Sequence, residues 1–165
     1  MDYNALLREA ATEMSALEAL YRALRGDALG IAYGILRSYP FAEDAVQEGF
    51  IRLPDAAKRY RGGDARAFVL SVVRYTALES LRKHRRELAV ETLPEQGDAP
   101  VDRDGALDVR AALGRLNRKE REVMMLRYYS GMAFREIAEA LHAPEGTVKW
   151  RCARALEKLR AVLKD

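Results

Sequence analysis

The amino-acid sequence predicts an all-α fold, with two small helical domains joined by a flexible acidic linker. Ala, Leu, Arg and Glu dominate the 165 residues, and 11 glycines and five prolines are few enough to favour helices. Charge also divides the chain, with a net charge of +3 over residues 1–86, −6 over residues 87–109 and +6 over residues 110–165. This distribution indicates two basic modules and an acidic connection between them.

The first module is predicted to be helical in three stretches. Apolar residues recur at three- and four-residue spacing from Ala5 to Leu36, until Ser38-Tyr-Pro-Phe interrupts the pattern. A second helix is expected from Ala42 to Leu53, where the next proline ends or kinks it. A pair of glycines indicates a loop, and Asp64 is placed to cap a helix from Ala65 to about Arg86.

The second module follows a stretch without helical periodicity, Glu87 to Asp108, which we interpret as a solvated linker. Helical spacing returns from Val109 to Leu116. Asn117 and Glu120 then form the pattern of a capping box, which predicts a helix that runs to about Ser130. Two further helices complete the module.

Those last two helices, Phe134 to Leu159, have the pattern of a helix-turn-helix that ends in a basic recognition helix. One stripe of the last helix is apolar and is predicted to be core: Val148, Cys152, Ala155, Leu156 and Leu159. Another set is predicted to face outward: Lys149, Trp150, Arg151, Arg154 and Lys158. Thr147 lies at the helix start, where hydroxyls and free backbone N–H groups bind phosphate. DNA binding is therefore the leading hypothesis.

Composition argues against several other classes of protein. The single cysteine, Cys152, excludes a disulfide framework and a cysteine-based zinc site. No apolar run approaches the roughly 20 residues that span a bilayer, and no secretory signal is visible, so we expect a cytoplasmic protein without membrane insertion. Because no nucleophile, phosphate loop or metal cluster is present, we expect no catalysis, no cofactor and no metal.

Two further motifs carry charge. Asp44, Gln47 and Glu48 share one face of the predicted second helix, and paired carboxylates without a histidine or cysteine favour a solvated or partner-binding face over a metal site. Leu81-Arg-Lys-His-Arg-Arg contains five consecutive residues that can be positive, which suits nucleic-acid phosphate better than a membrane surface.

Together, three motifs resemble the extracytoplasmic-function sigma factors, the smallest bacterial sigma factors. The resemblance covers nearly the whole chain. It rests on AEDAVQEGFIRL, on ARAFVLSVVRYTALESLRKHRR and on REIAEALHAPEGTVKWRCARALEKLR, in this order. It implies sigma region 2 over residues 1–86, an acidic linker over residues 87–108 and sigma region 4 over residues 109–165.

The resemblance also implies partners and roles. The chain would be a dissociable subunit of RNA polymerase that directs transcription from promoters with −10 and −35 elements. Its role would be in a stress response, and an anti-sigma factor would be its inhibitor. Asp44, Gln47 and Glu48 would bind the β′ clamp helices of core polymerase, and region 4 the β flap. The −10 element would be bound by Tyr60, Arg61, Arg66, Arg74, Tyr75, Arg82, Lys83, Arg85 and Arg86. The −35 element would be bound by Thr147, Lys149, Trp150, Arg151, Arg154 and Lys158.

Two alternatives stay open at this point. Tyr75 and Trp150 depart from the residues usual in the family at promoter-reading positions, which leaves room for a sigma-like decoy that sequesters an anti-sigma factor. The chain could also be a helix-turn-helix transcriptional regulator with an unrelated N-terminal sensor. Core polymerase binding with promoter-specific transcription would exclude both.

Overall fold

The computed structural model describes residues 1–91 and 106–163. The helices of this part of the chain are α1 (Tyr3–Glu9), α2 (Met14–Leu36), α3 (Tyr39–Ala57), α4 (Ala65–Lys83), α5 (Arg85–Glu91), α6 (Ala106–Gly114), α7 (Arg118–Met124), a π-helical turn (Met125–Tyr129) that continues α7, α8 (Phe134–Leu141) and α9 (Glu145–Leu163). No strand occurs among these residues. The all-α prediction is confirmed.

The N-terminal helices, α1 to α5, form a bundle around α2. Helices α2, α3 and α4 pack against one another, and α1 lies on α2 and α4. Helix α2 contributes a continuous apolar stripe to the core, with Leu20, Leu24, Ile31 and Ile35 all buried. Tyr21 and Phe50 add an edge-to-face aromatic contact between α2 and α3, with ring centroids 5.1 Å apart.

The predicted first helix is wrong in one respect, since Ala5 to Leu36 is not continuous. The chain leaves helical geometry after Glu9 and re-enters it at Met14, with Glu13 extended at the start of α2. Neither glycine nor proline marks this break. It allows Leu7 on α1 and Leu20 on α2 to be buried at the same time, so tertiary packing overrides the local helical pattern.

The predicted bounds of α3 are also too narrow. Ser38 caps the helix by accepting the Phe41 N–H at 3.4 Å, and Pro40 lies in the first turn, where its missing N–H costs nothing. At the other end, Pro54 neither stops nor shortens the helix, which continues to Ala57. Burial of the last turn, which includes Ala57, offsets the hydrogen bond that this proline cannot make.

The predicted helix starts at Asp64 and Asn117 are confirmed. The Asp64 carboxylate accepts the Ala67 N–H at 2.9 Å. Asn117 and Glu120 form both hydrogen bonds of a capping box, each 2.9 Å long. These caps satisfy backbone donors that the first helical turn would otherwise leave unpaired.

Most of the predicted linker, residues 92–105, lies outside the described residues. At both ends of Glu87–Asp108, however, the prediction of non-helical chain is wrong. Helix α5 extends to Glu91, and α6 already begins at Ala106. Leu88 is buried and fixes α5 against the N-terminal bundle, which explains why the chain stays helical beyond its basic run.

The C-terminal helices, α6 to α9, pack directly on the N-terminal bundle. Helix α8 lies against α4, while α7 and its π-helical turn lie against α2. Buried residues from both halves belong to one continuous apolar cluster. Contact between the two halves therefore shapes the surfaces on which the predicted site residues lie.

Candidate functional site

The predicted polymerase-binding face is an exposed, acidic side of α3. Asp44, Gln47 and Glu48 are all solvent-exposed, whereas Val46 and Phe50 on the opposite side are buried. Helical spacing alone produces this separation, because residues three and four apart lie on the same side. The face offers carboxylate and amide groups on a rigid, buried support.

Arg52 connects this face to α4. Its Nε donates to Glu48 Oε1 at 3.1 Å, and its Nη1 forms a second ion pair with Glu79 on α4. All three side chains are substantially exposed. The bridge consequently orients Glu48 more than it stabilises the fold.

Four of the nine predicted −10 residues form a basic surface at the end of α4 and in α5. Arg82, Lys83, Arg85 and Arg86 are exposed, as is Arg61 in the loop before α4. Tyr75 of α4 has 59% of its surface exposed, so its aromatic ring is available for stacking. This surface combines positive charge with an open aromatic side chain.

Tyr60, which is predicted to bind the −10 element, has a buried side chain in the structure. It is only 7% exposed, and its hydroxyl donates to Gly63 O at 2.8 Å and lies 3.0 Å from Asn4 Oδ1. Its ring packs on Phe68, with centroids 5.2 Å apart. The apolar body of Tyr60 is buried and its hydroxyl has hydrogen-bond partners, so the side chain fixes the loop before α4 to the N-terminal bundle.

Arg66 and Arg74 are predicted −10 residues that are bound to the C-terminal helices. Arg66 Nη2 donates to Ser130 O at 2.6 Å and to Asp27 Oδ2 at 2.9 Å. Arg74 Nε forms an ion pair with Glu122, whose side chain is 1% exposed. Both guanidinium groups are therefore covered in this arrangement of the two halves.

Residues at the helix ends define the helix-turn-helix of α8 and α9. His142 ends α8 in the left-handed conformation at φ 52°, as expected for a turn residue that takes the place of glycine. Helix α9 begins at Glu145, directly after Pro144. At the start of α8, Ala133 provides no side-chain cap, although Glu136 Oε1 accepts its N–H at 3.0 Å.

The apolar stripe of α9 is core at its N-terminal end and half-buried farther along. Val148, Cys152 and Ala155 are buried, whereas Leu156 and Leu159 are partly exposed. The prediction of a fully buried stripe is therefore correct for the first two turns only. These turns fix the rotation of α9 about its axis.

That rotation places the basic side chains of α9 outward. Lys149, Trp150 and Arg154 are exposed, while Thr147 and Arg151 are half-buried. The Trp150 ring, 63% exposed, lies below the Arg154 guanidinium at 5.7 Å from its centroid. A large aromatic group at this level of exposure is typical of a contact surface.

Lys158, which is predicted to face outward, is half-buried and forms an ion pair within the C-terminal half. Its Nζ bonds Glu120 Oε1 at 2.7 Å, and Glu120 is buried. Burial raises the pKa of Glu120, but hydrogen bonds from Lys158 and Asn117 outweigh it and hold the pKa below its usual value. Lys158 is thus the counter-charge of a buried carboxylate.

Sequence reasoning missed the residues that join the two halves. Glu139 Oε2 accepts the Asp64 N–H at 3.2 Å, and Arg121 Nε donates to Gly34 O at 2.7 Å. Burial lowers the pKa of Arg121 to about 10. A signal for this contact exists in the sequence, since Gly30 and Gly34 lie four residues apart in α2, where alanine would favour the helix more.

Within residues 1–91 and 106–163, no group of three His, Cys, Asp or Glu side chains has an arrangement that could hold a metal ion. The helices of the same residues include none that is long and apolar enough to cross a bilayer.

Comparison with known proteins matches two segments of the chain to one family. The family model of Sigma-70 region 2 matches residues 20–87, and that of Sigma-70 region 4 matches residues 112–161. The ECF RNA polymerase sigma factor SigK of Mycobacterium sp. (strain KMS) is 27% identical, with 98% of this chain and 91% of that protein covered. SigL of Mycobacterium tuberculosis (strain ATCC 25618 / H37Rv) is 29% identical, with 94% and 93% covered.

Solved structures share the fold. CnrH, in complex with the cytosolic domain of CnrY, superposes with a TM-score of 0.74 at 23% identity, over 98% of this chain and 96% of that chain. The sigma factor RpoE of Bartonella quintana, in complex with the anti-sigma factor NepR, superposes with a TM-score of 0.68 at 22% identity, over 89% and 95%. The chain belongs to the extracytoplasmic-function sigma factors of bacterial RNA polymerase.

Proposed function

We propose that this sigma factor binds core RNA polymerase through the exposed face of α3. Asp44, Gln47 and Glu48 would contact the β′ clamp helices, since an acidic surface is suited to a basic partner and fixes the register of docking. The β flap would bind the C-terminal helices. The observation that carries the proposal is the exposure of these three polar side chains on a buried support within the segment that matches region 2.

Promoter melting and −10 recognition belong to α4, α5 and the loop before α4. Arg61, Arg82, Lys83, Arg85 and Arg86 would bind backbone phosphates, and Tyr75 would stack on an unpaired base. Arg66 and Arg74 would join this set when the C-terminal helices release them, and Arg66 would in addition have to exchange Asp27 of α2 for a phosphate. Tyr60 does not, because its partners are all in the N-terminal bundle and would keep it buried in any arrangement of the two halves.

Recognition of the −35 element belongs to α9. Lys149, Trp150, Arg151 and Arg154 would enter the major groove, and Thr147 would contact a phosphate at the helix start. Lys158 is left out, because it is held by Glu120 within the same half of the molecule. The indole of Trp150 would make the preferred −35 sequence of this protein differ from that of relatives with a small residue there.

The remaining assignments follow from family membership. We assign region 2 to residues 1–86, the linker to residues 87–108 and region 4 to residues 109–165. A sigma factor acts on polymerase and has no reaction of its own to catalyse, so the protein would work without a cofactor in the bacterial cytoplasm. An anti-sigma factor would control it, as the complex of the Bartonella quintana protein with NepR exemplifies.

Binding to purified core polymerase tests the α3 assignment. Asp44→Ala, Gln47→Ala and Glu48→Ala in one variant should weaken binding by at least tenfold, while the circular dichroism spectrum stays unchanged because all three side chains are exposed. A variant with Glu9→Ala and Glu18→Ala, which removes two exposed acids on α1 and α2, serves as the control and should leave the affinity unchanged. Equal affinities for the two variants would contradict the assignment.

A further inference from the structure

Trp150 lies at the centre of the exposed side of α9. The buried residues Val148, Cys152 and Ala155 define the inward side of this helix. Because an α-helix turns by about 100° per residue, the Trp150 side chain points away from all three. It is 63% exposed. The indole is therefore the first group that a ligand would meet on this side of α9.

Small residues flank the indole along the helix. Gly146 lies one turn before Trp150 and Ala153 lies one turn after it, and both are exposed. A Cβ at Gly146 would have no neighbour within 4 Å, so packing does not require a glycine at this position. With small residues on both sides, the Trp150 ring projects above the surface and leaves space for a base edge beside it.

Arg154 is the cation that accompanies the indole. Its Cζ lies 5.7 Å from the centre of the Trp150 ring, which is within the range of about 6 Å for a cation–π contact. Lys149 on the same helix is paired with Glu145 instead, at 3.4 Å. The indole therefore restricts the orientation of the Arg154 guanidinium without neutralising its charge, and the N–H donors of this guanidinium stay available for a ligand.

We propose that Trp150 and Arg154 bind the −35 element as one unit that selects a thymine and a guanine within about two base pairs of each other. The inference rests on the proposed function, because it takes α9 as the helix that enters the major groove. Guanine presents O6 and N7 there as a pair of acceptors for a guanidinium. Thymine presents a methyl group, which the apolar indole would cover.

The spacing of the two residues limits the spacing of the two bases. Trp150 and Arg154 are four residues apart, which corresponds to about 6 Å along the helix axis. Successive base pairs of duplex DNA are about 3.4 Å apart, so the unit spans at most about two base-pair steps. The indole then has two effects, since it contacts the thymine and also orients Arg154 toward the guanine.

Selection from a random duplex library by the full-length chain, alone and bound to core polymerase, tests this base preference. The wild type should enrich sites with a thymine and a guanine within about two base pairs. Trp150→Ala should lose a preference for thymine of about fourfold, which corresponds to burial of one methyl group. Arg154→Ala should lose a preference for guanine of at least about fivefold. Arg160→Ala removes an exposed cation farther along α9 and is the control, which should leave both preferences unchanged.

Changes of single groups in the selected DNA then identify the contacts. Deoxyuridine in place of the thymidine removes only the methyl group and should weaken binding of the wild type by about fourfold, but not binding of Trp150→Ala. Trp150→Phe keeps an apolar ring and should retain part of this difference. 7-Deazaguanine removes the N7 acceptor and should weaken binding of the wild type more than that of Arg154→Ala. Equal losses for the wild type and the alanine variants would overturn the proposal.

The proposal and the proposed function fail differently. If the wild-type chain does not bind core polymerase, the proposed function is wrong, yet selection with the chain alone still reports whether Trp150 selects thymine. If polymerase binding and transcription are normal but Trp150→Ala keeps the wild-type preference, the indole contacts something other than DNA, such as a protein, and only the base-reading unit is wrong. A wild type that enriches no sequence in either form would also overturn the unit.

Discussion

The ion pair between Arg74 and Glu122 provides a quantitative prediction about the interface between the two halves. Glu122 is 1% exposed and Arg74 is 21% exposed, so the pair is largely shielded from water. Removal of one member of a fully buried pair typically destabilises a protein by about 3–5 kcal/mol, because the other charge stays buried without its partner.

Two features of the structure reduce that figure. Arg74 keeps some contact with solvent, and Glu122 retains Arg118 as a second partner after Arg74 is removed. We therefore expect Arg74→Ala to lower the free energy of unfolding by about 1–3 kcal/mol. In a double-mutant cycle with Glu122→Gln, the coupling energy should be about 1–2 kcal/mol.

Urea denaturation followed by circular dichroism measures each corner of the cycle. The pair of Lys58 and Asp55 is a suitable control, because their side chains are 62% and 85% exposed and should couple by less than about 0.5 kcal/mol. A coupling between Arg74 and Glu122 no larger than that of the control would refute the described packing of the two halves.

Three further predictions concern the C-terminal helices. Val148→Asp buries an unpaired charge in a fully buried site and should abolish cooperative melting of this half, whereas Leu156→Asp, at a half-buried site, should only lower its melting temperature. Ala133→Ser supplies the missing cap of α8 and should raise the free energy of unfolding by about 1 kcal/mol; no change in urea midpoint would contradict this cap geometry. The pKa of Glu120 lies below its usual 4.5, so the Glu120 carboxylate stabilises the fold above pH 4.5, and this stabilisation should be lost as the pH falls through the folded-state pKa. Glu120→Gln should therefore make the melting temperature depend less on pH in the acid range.

The all-α class and several element boundaries could be predicted because they depend on local chemistry. The helix starts at Asp64 and Asn117 are examples, since each cap involves residues within three positions of one another. The orientation of α9 could be predicted from the spacing of its apolar residues for the same reason. Local patterns are readable from sequence because a helix repeats its geometry.

The structure differs from the predicted exposure of a side chain where the partner of that side chain is distant in sequence. Tyr60 and Lys158 resemble DNA-binding residues by type and position, yet their partners include Asn4 and Glu120. The break between α1 and α2 likewise depends on simultaneous burial of two helices. Charge and aromaticity indicate that a residue is suited to an interface, but burial decides whether it is available.

Gly30 and Gly34 show how a contact between distant parts of the chain can leave a pattern in the sequence. Their spacing was visible, but only the described contact with Tyr129 and Met125 gives it a meaning. A helix that carries glycine at every fourth residue without a membrane-spanning character should be examined as a docking seat for another part of the same chain.

Transcription in vitro tests the central claim most directly. Core polymerase from the native bacterium, supplied with this protein and fragmented genomic DNA, should produce RNA whose mapped 5′ ends share two sequence blocks upstream at a constant spacing. Arg154→Ala should reduce dependence on the upstream block while the block nearer the start is kept. RNA ends that do not differ from those of core polymerase alone would contradict the account.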